Sequence, residues 1–276
     1  MARHALKVLN QLKEHDSFLN SLHTIVDMGC GTGEDIAWWA TLPNHNYRCF
    51  AVDINADKLA QVPDLPNIDK VNRDFTKLCI PLGIDLIWSH DSLQYSINPI
   101  ETLKVWNEQM HVNGMLVLNI PQHSGVTNDR YYSRAHSGCY HNFTVTNLIY
   151  MLAVNGFDCK DAYILKEFND PWIQVAVYKS AIAPMDATAT SWDDLIKLDL
   201  LSPSVVNSIK QYGYLRQEDI EYPWLDKQTY RVDYANQLVE DPDEVTRTLD
   251  GVIHIATSVA VPLIKQGNTV KKEQYD

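Results

Sequence analysis

The segment Thr24-Ile25-Val26-Asp27-Met28-Gly29-Cys30-Gly31-Thr32-Gly33 joins a largely apolar, β-branched run to three glycines at every second position. Such a run enters a sheet. The glycines then permit a tight turn and let the backbone approach a ligand closely at the N-terminus of a following helix. Twenty positions beyond Gly33, Ala51-Val52-Asp53-Ile54-Asn55 brings an acid to the place where the tip of a second strand accepts ribose hydroxyls. Turn and acid together read as a nucleotide-binding βα unit. A glycine loop serving only chain reversal is the bland alternative.

Outward from this unit, strand-like and helix-like stretches alternate at 35–40, 49–54, 85–88, 102–110 and 115–120. Alternation of that kind predicts a doubly wound, mostly parallel α/β sheet. Ahead of the glycine turn, Leu6, Val8, Leu9 and Leu12 recur at helical spacing. At the far end, 157–165 and 172–178 suit an antiparallel final pair joined by a turn at Asn169-Asp170-Pro171.

Glycine spacing separates cofactor classes. A dinucleotide fingerprint needs G-x-G-x-x-G/A, whereas the third glycine here comes one residue early, which counts against NAD or FAD. The string Asp27-x-Gly29-Cys30-Gly31-Thr32-Gly33 instead resembles motif I of the class I S-adenosylmethionine-dependent methyltransferases. The resemblance continues through Asn72-Arg73-Asp74-Phe75, Gly83 to Ser89, the corner Val112-Asn113-Gly114 where the family has Pro-Gly, and His141-Asn142-Phe143-Thr144 through Gly156-Phe157. It covers about residues 20–180 and implies a seven-stranded sheet flanked by helices, with S-adenosylmethionine as cofactor. Carried over position by position, it implies cofactor contacts at Asp27, Gly29, Cys30, Gly31, Thr32, Gly33, Asp53, Ile54, Asp74, Phe75 and Ser89. The methyltransferase domain is expected at 1–180, and a mainly helical extension at 181–276 serves as a cap or an oligomerisation element.

The extension begins with a small-residue linker at 181–190. Helix starts follow at Ser191-Trp192-Asp193-Asp194, Ser202-Pro203 and Asp241-Pro242, and an apolar stretch at 252–264 reads as a buried helix. A two-fold homodimer contact, a lid over the acceptor cleft and a plain stabilising layer are the three roles open to it.

With 276 residues, 45% of them hydrophobic, the chain can build a substantial core. No apolar stretch reaches the ~20 residues of a membrane span, and the first residues do not read as a signal peptide, so a cytoplasmic protein without a membrane partner is expected. The five cysteines, at 30, 49, 79, 139 and 159, form no C-x-x-C pair and suit reduced thiols. A formal charge of −12 argues against nucleic acid as partner, because phosphate contacts need a basic footprint.

Methyl transfer from a sulfonium needs an aligned acceptor and, for a hydroxyl or protonated amine, a base. Ser89-His90-Asp91-Ser92 follows the fourth strand, where α/β folds place ligand-contacting loops, so His90 is a candidate base; a loop histidine beside a helix cap is the alternative. His136 and His141, on the long polar and aromatic segment 121–141, are the other candidates. His123, His136, Cys139 and His141 match no regular zinc spacing, and no metal is expected. Asn119-Ile120-Pro121-Gln122 superficially resembles the tetrad of DNA amino-methyltransferases but follows the fifth strand rather than the fourth. Trp38-Trp39 is read as helix-to-sheet packing. The resulting expectation is methyl transfer to a small molecule or a protein side chain. Its alternatives are a non-catalytic binding or assembly module and a nucleic-acid methyltransferase.

Overall fold

The computed structural model describes residues 16–77, 80, 83–121, 140–141, 143–166, 172–216 and 219–222. His136, Cys79, Cys139, the helix expected before residue 16, the turn at 169–171 and everything beyond 222, including the apolar stretch 252–264, lie outside them.

Seven strands form one sheet in the order β3-β2-β1-β4-β5-β7-β6. They are β1 (Thr24–Met28), β2 (Arg48–Asp53), β3 (Ile68–Asn72), β4 (Ile84–His90), β5 (Met110–Pro121), β6 (Phe157–Lys166) and β7 (Trp172–Lys179). The first five run parallel, whereas β7 pairs antiparallel with both β5 and β6. The strand order turns around between β1 and β4, and open α/β sheets bind ligands in the crevice at the carboxyl ends beside such a reversal.

Helices cover both faces. Alternate residues of each strand point to opposite sides. Ile25, Ala51, Trp88, Val117 and Ala176 therefore meet α1 (Asp16–Ser21) and α2 (Glu34–Ala40) through Leu19, Ile36 and Trp39. Val26, Val52, Ile87, Leu116 and Val175 meet α4 (Pro99–Gln109) and α5 (Val145–Val154) through Leu103, Trp106, Leu148 and Leu152. Each fully buried Leu or Ile contributes about 1.5–3 kcal/mol relative to exposure. The short α3 (Ala56–Leu59) follows β2, capped by the Asn55 side chain, which accepts from the Lys58 N–H.

Residues past 180 join the same core. Tyr150 donates its hydroxyl to the Ala187 and Thr190 carbonyls. Helices α6 (Trp192–Lys197) and α7 (Pro203–Tyr212) add Leu195, Val205 and Ile209 to the face built by α5 and β6. Tyr222 closes this region by donating to the Cys159 carbonyl at 2.8 Å.

The corner at 112–114 differs from its sequence reading. β5 already begins at Met110, so the turn lies inside the strand as an irregularity in register against β4. Asn113 takes the positive φ of 65°, a conformation that asparagine tolerates better than most residues.

Candidate functional site

The glycine turn is set by backbone geometry. Gly29, Gly31 and Gly33 have φ of 83°, 56° and 81°, and the N–H groups of Gly29 and Cys30 both donate to the Val52 carbonyl, locking the turn onto the tip of β2. The three glycines serve different ends. A Cβ on Gly29 would lie 2.2 Å from Ser92 Oγ, so this position is closed by the protein itself and not by a ligand. A Cβ on Gly33 would overlap Val62, whereas one on Gly31 meets nothing within 4 Å. The open space for a ligand therefore lies over Gly31.

Asp53 faces this space from the end of β2. Its Oδ2 accepts from the Gly31 N–H at 2.8 Å, and its Oδ1 accepts from the Asn55 N–H at 2.8 Å. Ile54 beside it is 69% exposed, an apolar surface with no protein partner over most of its area. Asn72 donates to the carbonyls of both Asp53 and Ile54, which draws the end of β3 to the same place. Asp74 then accepts from the Thr76 N–H and hydroxyl, fixing the 75–77 turn. Phe75 packs edge-on against Trp106 and reaches toward Gly29. Thr32 lies exposed on the turn, and Ser89 is buried with an unpartnered hydroxyl.

Asp27 is buried beneath the turn. Burial first, then the charges of Asp35 and Asp53, push its carboxyl well above the ordinary carboxylate range. The same desolvation raises the Cys30 thiol, with Asp27 and Asp53 adding to it, so Cys30 is held protonated and is no nucleophile.

At the end of β4 the structure brings together residues far apart in sequence. His90 Nδ1 lies 2.8 Å from Asp35 Oδ2, and the Trp88 indole N–H donates to the same oxygen at 3.1 Å. Burial opposes ionisation of Asp35, but the hydrogen bond and charge of His90, with the Trp88 bond, hold its carboxyl below the ordinary value. A carboxylate only accepts, so Nδ1 is the donor of this bond. Nε2 makes no hydrogen bond to the described residues. The His90 ring meets Trp172 edge-on, centroids 6.1 Å apart. Ser92 bonds the carbonyls of His90 and Gly29, joining this dyad to the glycine turn.

His141 sits elsewhere on the 93–97 turn. Its N–H donates to the Gln94 carbonyl, and its Nε2 lies 3.2 Å from the Ile97 carbonyl. Asp35, Trp172 and Gln174 carried no functional signal in the sequence and Asn119 only that of a misplaced tetrad, since their proximity to His90 depends on strand register and on the packing of α2. A polar depression lined by Asn46, Arg48, Asn67 and Asp69 lies at the amino ends of β2 and β3, the edge of the sheet opposite the glycine turn.

Residues 26–118 match the family model described as "Methyltransferase domain". Over these residues the chain is similar to methyltransferase domains. The fold agrees with solved structures of low sequence identity. One is a chain from the complex between a Haloferax volcanii methyltransferase activator and a methyltransferase, with 13% identity, 60% of this chain and 88% of that one covered, and a TM-score of 0.50. Another is Haemonchus contortus phosphoethanolamine N-methyltransferase 2 in complex with S-adenosyl-L-methionine, with 11% identity, 57% and 49% coverage and a TM-score of 0.51. No curated protein matches the sequence. The open space over Gly31, the carboxylate of Asp53 and the exposed Ile54 fit a nucleoside with a ribose diol. Among the described residues no helix is long and apolar enough to cross a membrane, and no group of three metal-ligating side chains converges.

Proposed function

We propose that this domain methylates a hydroxyl or amine on a small molecule or a protein side chain, with His90 as general base and Asp35 as the residue that orients it. The observation that carries the reading is the 2.8 Å hydrogen bond between Asp35 and His90 Nδ1 at the carboxyl end of β4, which leaves Nε2 as the proton acceptor. Bound S-adenosylmethionine supplies an activated methyl group and a neutral leaving group, so the chain's own residues have to hold, orient and deprotonate. In this reading Asp53 takes the ribose diol, Ile54, Asp74 and Phe75 border the base, and Asp27 and the turn 29–33 meet the remainder, with Cys30, Thr32 and Ser89 around them. His136 and His141 are the alternative bases.

The net charge of −12 favours such acceptors over nucleic acid. A cytoplasmic, homodimeric protein with residues 181–276 at the contact is the assembly we propose; light scattering of the intact chain and of a 1–222 truncation tests it, a monomeric intact chain refuting it.

An acceptor screen with isotopically labelled S-adenosylmethionine tests the chemistry. His90→Ala is expected to lower turnover by ~10²–10⁴-fold, while the donor Kd measured by calorimetry stays within a small factor. Equal losses in both quantities reassign His90 to donor binding, and wild-type turnover removes it from the mechanism.

A further inference from the structure

A row of polar side chains crosses the sheet beside the Asp35–His90 pair. His90 stands opposite Asn119 in the parallel β4–β5 ladder, and Asn119 stands opposite Gln174 in the antiparallel β5–β7 ladder. Period-two alternation puts all three on the face that also carries Trp88, Val117 and Ala176. In an antiparallel ladder directly opposed residues have Cβ atoms about 4.5–5.5 Å apart, so one small chemical group can span Asn119 and Gln174.

The row is buried yet unsatisfied. Asn119 is 2% exposed and Gln174 1%. Neither the Nδ2 nor the Oδ1 of Asn119 has a hydrogen-bond partner, nor does Gln174 Oε1, and Asp35 Oδ1 is orphaned beside them. A buried polar group left unpaired costs about 1–3 kcal/mol, and folded proteins pair the large majority of such atoms. Leucine at 119 would fill similar space without that cost. Three orphaned atoms on one face next to the dyad, and a fourth on the dyad's own carboxylate, point to a ligand that pairs them.

We propose that Asn119 and Gln174 recognise the methyl acceptor, and that the group they bind is an uncharged moiety with a hydrogen-bond donor and acceptor side by side, such as a carboxamide or lactam edge. This rests on the methyl-transfer reading above. The side-by-side requirement comes from Asn119, whose amide presents one acceptor oxygen and one donor nitrogen. Neutrality comes from Asp35, because a second anion in this buried setting is repelled by its carboxylate. Trp172, edge-on to His90, borders the row at the start of β7.

The probe is δ-valerolactam, which carries N–H and C=O on one edge, titrated into the intact chain with and without S-adenosylhomocysteine while the Asn119 and Gln174 side-chain amides are followed by NMR. Binding is expected at about millimolar strength, as for a ligand of few heavy atoms, with both amides shifting. Asn119→Leu is expected to weaken it roughly tenfold or more while the Tm stays level or rises, since orphaned atoms have been removed. Gln174→Met, read separately, is expected to weaken it as well. Unmoved amides, lactam binding as tight in either variant as in the wild-type chain, toluene binding as well as the lactam, or an Asn119→Leu protein that melts lower or fails to fold each overturn the proposal. Calorimetry with S-adenosylmethionine reads the underlying methyl-transfer assignment independently: a chain that binds lactam but no donor refutes that assignment and leaves the row standing.

Discussion

Replacing Asp53 with alanine separates two jobs that its carboxylate performs at once. In the free protein it accepts from the Gly31 and Asn55 amides, both at 2.8 Å. Gly31 is partly exposed and Asn55 exposed, so water replaces the lost acceptor, and each bond is worth its net value of about 0.5–1.5 kcal/mol. The variant should thus be less stable by ~1–3 kcal/mol, a Tm drop of roughly 2–12 °C at about 2–4 °C per kcal/mol for a domain of this size. In the proposed donor complex the carboxylate would also serve the ribose diol. A hydrogen bond to a charged group is worth about 1.5–3 kcal/mol, which converts to roughly 10- to 150-fold in Kd. Tethering of the loop is lost in free and bound forms alike and largely cancels from affinity. Scanning calorimetry and titration calorimetry with S-adenosylhomocysteine read the two effects. A lowered Tm with donor affinity unchanged within about twofold would leave Asp53 as a loop tether only and refute its role at the ribose.

The glycines should respond unequally. Gly29→Ala forces a Cβ to within 2.2 Å of Ser92 Oγ at φ 83°, costing about 2–6 kcal/mol from strain and overpacking together, and Ser92→Gly in the same chain should restore the overpacking part; no recovery in urea melts shows that the contact is not the cause. Gly31→Ala should cost only the ~1–3 kcal/mol of its backbone strain but weaken donor binding, an effect that calorimetry will contradict if the space over Gly31 is not the donor's. Burial together with Asp35 and Asp53 raises the folded pKa of Asp27 above its ordinary 3.8, so wild-type stability is full below that value and falls as pH rises through the raised one. The Tm advantage of Asp27→Asn should therefore widen from acid to alkaline pH, and a shrinking advantage reverses the assigned sign. Binding to duplex DNA should be negligible at physiological salt given the charge of −12; tight, steeply salt-dependent anisotropy changes would restore the nucleic-acid alternative.

The proposed donor half was legible in the sequence because its parts are local. Glycines, Asp27 and the spaced Asp53 lie within one βα unit and its neighbour, and apolar runs marked β1, β2, β4, β5 and the final hairpin. β3 escaped notice. Its residues Ile68-Asp69-Lys70-Val71-Asn72 form an edge strand paired only with β2, half exposed, and too polar to show a run. The proposed acceptor half was illegible for a different reason. Asp35 read as a helix start, Asn119 as part of a misplaced tetrad and Gln174 as strand interior; the pairing of β4 with β5 and of β5 with β7 aligns Asn119 and Gln174 with His90, and the packing of α2 on the sheet brings Asp35 to it. Register of that kind is decided by tertiary packing and leaves no local trace.

The antiparallel insertion of β7 also shapes how the chain reaches its fold. β5 is an interior strand, but its second neighbour arrives only with residues 172–179, after α5 and β6 have been made. Until then Leu116, Leu118 and Ile120 line an unpaired edge, the kind of apolar template on which nascent chains pair with one another. At synthesis rates of about 5–20 residues per second the exposure lasts several seconds. Soluble yield should consequently follow growth temperature and chaperone supply more closely than it follows the stability of the finished protein, and truncations ending before Trp172 should partition into the insoluble fraction whatever their donor motif.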